Sequence, residues 1–299
     1  MRVRVRIPAA SGNLGSGFDC AGMALALYNE ALVDTERTGV EVFGEGASEL
    51  STDERNHCVW AMRELARRCG RELPPARLEL HNRIPVGRGL ASSGAAVLAG
   101  LMLANELLDR PCTRRDVMDL GTEIEGHPDN VAAAILGGVV VSVWDGRTVE
   151  AVRLAPPPEM RAVVWTPEAS LATKQARAAL PEYVPMGDAV FNLGHAALFA
   201  AAFATGQWEH LRAGVRDRLH QPYRAPLVRG LNEIMEAALD AGALASCLSG
   251  AGPSVLAICN GDTEGVERAM LAVGTAHAGA GRVLVLAVDE EGATAQVEA

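Results

Sequence analysis

Three turns of small residues and three groups of charged or polar ones carry the chemistry this sequence can offer. Residues 85–96 read PVGRGLASSGAA, between a strand-like alternation and an apolar helical stretch. A helix start presents four backbone N–H groups without helical partners and a partial positive charge. Glycine and serine let a phosphate approach that backbone, and the hydroxyls of Ser92 and Ser93 add donors. Such a cradle binds an anion without a lysine. A second turn, residues 8–20 (PAASGNLGSGFDC), displays Asn13 and Asp19. A dinucleotide fingerprint would need glycine where Cys20 stands, so that reading fails. A third, residues 248–254 (LSGAGPS), allows tight turning or close approach of a ligand.

Residues 123–130 (EIEGHPDN) gather three carboxylates, an imidazole and an amide. Carboxylates with open positions suit Mg²⁺, which keeps waters and phosphate oxygens as further ligands. Zinc fits poorly, because no His-Glu-x-x-His and no cysteine cluster is near. Thr173 and Arg177 are four apart, hence on one helix face. Residues 217–224 (DRLHQPYR) break a helical pattern at Pro222 and leave Arg224 beyond it. Each feature alone also has a plain structural reading, as a capped helix, a polar turn or a solvated arginine. No Gly-x-Ser-x-Gly elbow occurs, and no serine or cysteine has a visible paired base.

The elements that must position these residues follow from periodicity. Residues 2–8 alternate arginine with valine or isoleucine, and residues 24–36, 40–44 and 77–84 are further strand candidates. Residues 55–69 and 94–108 read as helices, 113–116 as a capping box, 139–143 as a buried strand and 145–146 as a hairpin turn. Three prolines at 156–158 mark a linker, dividing the chain into 1–155 and 156–299. Beyond it lie strands at 161–165, 254–259 and 282–288, with helical patterns at 170–180, 189–204, 207–219, 225–241 and 263–273.

Composition narrows the function classes. A chain of 299 residues, 49% hydrophobic and 21% charged, can build one large or two moderate cores. A net charge of −10 argues against a nucleic-acid partner, while one basic pocket for a small anion remains open. Lys174 is the only lysine and follows no glycine loop, which excludes a Walker A loop and the protein-kinase lysine. Six cysteines without a Cys-x-x-Cys pair read as reduced thiols, so a cytoplasmic setting is expected. No signal-peptide pattern opens the chain and no apolar run is long enough to cross a bilayer, so no membrane partner is expected.

Together these segments resemble the GHMP kinase superfamily. Its phosphate loop reads roughly Pro-x-x-x-Gly-Leu-Gly-Ser-Ser, and residues 85–93 match it with Ala91 in place of one glycine. That departure adds a methyl near the phosphate path. Residues 8–20, 125–131 (EGHPDNV), the Thr173/Arg177 pair, 220–224 and 249–253 resemble the homoserine kinases, nearly end to end. The resemblance implies an α+β, two-domain GHMP kinase fold. Its N-terminal α/β domain would have a left-handed βαβ crossover, against the general rule. Its C-terminal domain would be ferredoxin-like, with ATP and substrate in the cleft between.

The resemblance also implies roles. Gly89, Leu90, Ala91, Ser92 and Ser93 would cradle the phosphates, with Pro85, Gly87 and Arg88 in the same loop and Asn56 near the adenine. Glu125 would hold Mg²⁺ with Ser92 nearby; Glu123 is the alternative, because spacing to the following histidine varies. Asn13 would orient the substrate hydroxyl and Asp19 would pair with its ammonium. His127, Asn130, Thr173, Arg177, Arg224 and Gly250 would complete the pocket. The implied reaction is phosphorylation of L-homoserine by ATP, in threonine biosynthesis. Rival readings are a sibling kinase for mevalonate-like or sugar-like alcohols, and a non-catalytic nucleotide-binding member. The two arginines favour a carboxylate-bearing substrate, and retention of Asn13, Asp19 and Glu125 counts against lost catalysis. A homodimer is compatible with the resemblance. No general base is required, since phosphoryl transfer rests on positioning and charge stabilisation. Asp19 paired with an ammonium would be a poor proton acceptor.

Overall fold

The computed structural model describes residues 1–298. Its first strand shows how the alternating opening is used. β1 (Arg2–Gly12) buries Val3, Val5 and Ile7 and turns Arg2, Arg4 and Arg6 to the other face, as a pleated strand requires. Those arginines meet carboxylates on flanking strands: Arg2 pairs with Asp34 and Arg4 with Glu30, both on β2 (Ala21–Asp34). Arg4 also pairs with Glu298 near the end of the chain. Such exposed pairs add little stability; the buried alternation sets the register.

Next come β3 (Gly39–Gly44), α1 (His57–Arg68), β4 (Arg77–Asn82), α2 (Ser92–Leu107), α3 (Arg114–Glu125), α4 (Asp129–Leu136), β5 (Val139–Trp144) and β6 (Val149–Leu154). β3 and β4 are parallel and joined through α1, a βαβ unit. β2 pairs with β4 through Glu30–Asp34 and with β5 through Ala21–Met23. Between those stretches Asn29 Oδ1 accepts the N–H groups of Arg83 and Ile84 at 2.8 and 2.9 Å. That bond turns the chain out of β4 toward the glycine-rich loop. α2 is apolar on nearly every side and buries Val97, Leu98, Leu101 and Leu103, so the loop is backed by core.

The second half contains β7 (Met160–Pro167), α5 (Thr173–Ala178), α6 (Met186–Thr205), α7 (Leu211–Gly214), α8 (Gln221–Arg224), α9 (Leu231–Asp240), β8 (Ala245–Leu248), β9 (Val255–Asn260), α10 (Glu264–Ala278), β10 (Gly281–Ala287) and β11 (Thr294–Glu298). The sheet order β10-β7-β9-β8, antiparallel throughout, is the split βαββαβ arrangement of a ferredoxin-like layer. β11 departs from the two-part division. It crosses back to pair with β1, so the seven-stranded first sheet draws its edge from the chain's end.

Two expected helices are corrected. Residues 207–219 hold only a 3₁₀ turn (Trp208–His210) and α7. Asp217 explains the break: its carboxylate accepts the N–H groups of Leu219, His220 and Gln221, competing with helix bonds. Residues 225–241 are split because Gly230 adopts left-handed backbone before α9. The expectation about apolar runs also needs amending. α6 is long and apolar enough, by length and composition, to cross a membrane; its alanines, interrupted by Gly194 and His195, hide this from a search for unbroken large apolar residues.

Candidate active site

The site lies where β1 ends between the two sheets. Gly250 N–H donates to Gly12 O at 3.1 Å, and Ser249 Oγ lies 2.9 Å from Ser11 Oγ and 2.8 Å from Gly89 O. Three distant turns are thus stitched into one wall. Gly89 has a φ of 72°, and a Cβ there would collide with Ser249 O.

On one side of this wall is the phosphate-type cradle. Gly87, Gly89 and Ala91 all take positive φ, and Ala91 caps α2 without any side-chain hydrogen bond. The first N–H groups of a sixteen-residue helix therefore lack side-chain caps. Ala91 holds a φ of 60°, a conformation costing an alanine about 1–2 kcal/mol. A cavity of about 320 Å³ opens beside the helix start, against Leu50, Asn56, His57, Val86, Gly87 and Ser93. Ser92 also lines it, whereas Ser93 Oγ donates to Glu125 Oε1 at 3.1 Å and lies 3.2 Å from His57 Nδ1. So the serine beside Glu125 is Ser93, not Ser92. Glu123 turns away and is gripped by Arg68 at 2.6 and 2.9 Å. Two residues on a helix are about 200° apart, which puts the two glutamates on opposite faces. Asn56 caps α1 through Cys58 N and donates to Ser51 O, so its amide is engaged within the chain. Arg88 reaches back to the carbonyls of Val86, Pro167 and Glu168 and pins the loop. Pro85 and buried Leu90 complete that loop.

On the other side the wall is made of side chains. Asn13, at φ 69°, accepts Asp19 N–H on Oδ1 at 3.0 Å and donates from Nδ2 to Gly250 O at 2.8 Å. Its backbone N–H donates to Asp129 Oδ2 at 3.0 Å. Asp129 is fully buried and lies 2.5 Å from His127 Nδ1. Burial works against a charged His127 ring, but the Asp129 bond and charge outweigh it and raise its pKa. Asn130 Oδ1 is buried without a partner. Cys20 is pushed up to about 11 by burial and then by Asp129, so it is no nucleophile at neutral pH.

The two arginines differ. Arg177 grips Asp19 through two bonds of 3.0 and 2.8 Å, and this raises its pKa. Arg224 is 1% exposed and pairs with no carboxylate among the described residues. Its Nη1 donates to His220 Nδ1 at 3.1 Å and to Gly250 O at 3.3 Å, and its Nε donates to Ala176 O. Burial, then the neighbouring Arg177, lowers its pKa. Both guanidiniums flank the Phe18 ring, at 5.8 and 5.4 Å from its centre. Thr173 opens α5 in an exposed position, and Gly250 turns with a φ of 55°.

The sequence reading missed Asp129, Asp217, His220 and Ser249, which hold this wall together. All four stood within motifs already singled out; the bonds that tie Asp129 to Asn13, His220 to Gly15, and Ser249 to Ser11 and Gly89 span more than a hundred residues in sequence and gave no signal. A larger groove of about 720 Å³ lies beyond Asp217, along α9 and Phe191, Arg212 and Arg216. None of the residues of the 85–93 loop lines it, whereas Gly87, Ser92 and Ser93 line the smaller cleft, so the chemistry is sought there.

Comparison with known proteins gives the family. Residues 56–138 match the family model "GHMP kinases N terminal domain", and residues 199–276 match "GHMP kinases C terminal". The homoserine kinase of Deinococcus radiodurans is 43% identical, over 96% of this chain and 95% of that one. That of Moorella thermoacetica is 44% identical, over 90% and 91%. The crystal structure of homoserine kinase from Cytophaga hutchinsonii superposes with a TM-score of 0.87 at 28% identity, covering 99% of this chain and 97% of that one.

Proposed function

The chain belongs to the homoserine kinases of the GHMP kinase superfamily, and we propose that it transfers the γ-phosphoryl group of ATP to the side-chain hydroxyl of L-homoserine, a step toward threonine. The observation that carries the reading is Arg224. A buried guanidinium without a counter-ion is costly unless a ligand supplies the anion. It lies across the Gly89–Gly250 contact from an uncapped helix start suited to phosphates.

Homoserine brings one ammonium and one carboxylate. In the free site Asp19 and Arg177 neutralise each other, rather than each waiting for its own half of the substrate. On binding, the ammonium would take Arg177's place at Asp19, and the carboxylate would draw on Arg177 and Arg224. A neutral sugar would leave Arg224 unpaired, and a hydroxy acid would not free Asp19. These charges support an amino-acid substrate over the sibling alcohols.

Glu125 and Ser93 fit Mg²⁺. Both offer hard oxygen donors, and Glu125 makes no salt bridge among the described residues while sitting beside an anion cradle. A carboxylate there would repel phosphate unless a cation lay between. When bound, Mg²⁺ would supply neutralisation of the triphosphate charge. The start of α2 would bind the phosphate oxygens, and Asn56 and His57 would flank the rest of the nucleotide. Asn13, with its amide on Asp19 and Gly250, would act by fixing the turn that aims the substrate. No general base is invoked: Asp19 stays ion-paired, and Asp129 holds His127 toward its charged form. A cytoplasmic setting goes with this reading.

The test is product analysis. With Mg-ATP the purified protein should form ADP and a phosphorylated homoserine of the expected mass. If homoserine gave no ADP above background while mevalonate or galactose did, the substrate assignment would be wrong.

A further inference from the structure

The cleft does not account for the cysteines. Cys58, Cys247 and Cys259 are each buried in the core, and Cys20 sits beside Asp19. Cys69 and Cys112 differ from these. Both are half-buried free thiols, and their Sγ atoms lie 3.9 Å apart although 43 positions separate them in sequence.

Local structure fixes both sulphurs. Cys69 closes α1, its N–H donating to Leu65 O at 3.0 Å. Cys112 stands between α2 and α3, and Asn105 clamps its backbone. The Cys112 N–H donates to Asn105 Oδ1 and its carbonyl accepts from Asn105 Nδ2, each at 3.0 Å. Arg71, just past Cys69, donates to Leu108 O and ties the same two chain segments again.

The position of the pair gives it a consequence. α1 and α2 begin together at the cleft, where His57 Nδ1 lies 3.2 Å from Ser93 Oγ, and Ser93 donates to Glu125 at the end of α3. The thiols meet at the opposite end of these helices. Between Cys69 and Cys112 the chain contains β4, the 85–93 loop and all of α2. A bond between the two sulphurs would close that whole stretch into one covalent loop. A metal is less well supported here, because the group of three metal-type ligands among the described residues is Asp19, His127 and Asp129.

We propose that Cys69 and Cys112 form a redox site, which a small disulfide converts into an intramolecular bridge bracing the β4–α2 segment. One protein thiolate attacks the small disulfide, forms a mixed disulfide and releases one small thiol. The second protein thiolate then displaces the other small thiol. Two electrons pass to the small disulfide, and the two protein protons end on the released thiols. Burial, then the bond with Cys69 and the Cys69 and Asp116 charges, pushes Cys112 up to about 11, so the exchange is followed in mild alkali. Closing a loop removes freedom from the unfolded chain and so favours the folded one. The inference does not depend on the identity of the substrate.

The test treats the full chain with oxidised glutathione at about pH 8.5, near the ordinary thiol pKa, and quenches with acid before intact mass measurement. Wild type should lose about 2 Da, the mass of two hydrogens. Digestion without reductant should give one linked pair of peptides, holding Cys69 and Cys112. The Tm should rise by about 5 °C, and dithiothreitol should return both mass and Tm to their starting values. Cys69→Ser and Cys112→Ser should form no bridge and gain no Tm from the oxidant. Their untreated Tm should stay within about 2 °C of wild type. The linked peptides from wild type decide the matter even where a variant folds poorly. A chain that stops at the glutathione adduct, a bridge through any other cysteine, or a bridge that leaves Tm unchanged would overturn the proposal.

Discussion

The two sides of the cleft are built in opposite ways. The proposed phosphate side is backbone: positive φ at Gly87, Gly89 and Ala91, and a helix start with no side-chain cap. The proposed substrate side is a lattice of side chains, in which Asn13, Asp19, Asp129, Arg177, His220 and Arg224 each hold another member or its backbone. A backbone cradle tolerates side-chain changes that respect its conformation and space. A side-chain lattice does not, because deleting one member strands a buried partner. The few side chains that matter on the phosphate side should therefore be sharply distinguishable from their neighbours.

The largest expected effect exploits that contrast. Glu125→Ala should lower kcat by roughly 100- to 1000-fold, a loss typical of removing charge stabilisation at the reacting centre. Glu123→Ala, two residues away on the opposite helix face, should stay within about threefold, since it breaks only an exposed pair with Arg68. ADP release at saturating Mg-ATP and homoserine reads both. Equal losses would mean that helical phase does not separate the two carboxylates.

Next is a backbone change. Gly89→Ala should destabilise the fold by about 2–3 kcal/mol, because it combines strained φ with a collision at Ser249 O. Ser92→Ala, which removes a hydroxyl without touching backbone shape, should leave stability nearly unchanged. Urea unfolding of the two variants measures the difference. A stable Gly89→Ala protein would show that this wall yields, and the backbone side would lose its claim to rigidity.

The third prediction turns to the arginines. Arg224→Lys should lower kcat/KM for homoserine tenfold to a hundredfold, about 1.5–3 kcal/mol, while the KM for ATP barely moves. A lysine keeps the charge but cannot reach His220, Gly250 and a carboxylate together. Arg177→Lys should also hurt, and it should relax discrimination against the amino alcohol that lacks the carboxylate. Unchanged homoserine kinetics in both variants would leave the buried Arg224 without a function.

What could be read from sequence follows the same division. The proposed phosphate loop is contiguous in the chain, so residues 85–93 could be read as one unit. The ferredoxin-like half was implied by resemblance rather than by periodicity, and the return of β11 to β1 was not foreseen. A five-residue strand (TAQVE) with little hydrophobic contrast gives no reliable period-two signal. The substrate lattice was legible only as separate polar fragments. Asp19 and Arg177 were each read as waiting for substrate, because nothing local says that residues 158 apart grip each other. Glu123 and Glu125 stayed open for a different reason: their separation follows from helix geometry, but which face looks into the cleft depends on how α3 packs.

His220 gives the smallest and most specific test of the lattice. Its Nε2 lies 2.8 Å from Gly15 O, and its Nδ1 accepts from Arg224 Nη1. Only the neutral ring with its proton on Nε2 satisfies both neighbours. Burial, helped by Arg224, holds its pKa below the ordinary histidine value; Asp217 at 3.6 Å and the more distant Asp19 oppose this without prevailing. A depressed folded-state pKa means that the unfolded chain binds the proton more readily. The stability tied to the neutral ring is therefore complete above about pH 6.5, the unfolded value, and is lost as pH falls through the folded-state value. His220→Gln keeps a neutral donor and acceptor but does not titrate. Its Tm should lie below wild type at about pH 7.5, and the gap should narrow by on the order of 2 °C as the pH is lowered to about 5.5. A gap that stayed constant or widened on acidification would show that His220 does not carry the neutral link between the Gly15 turn and Arg224.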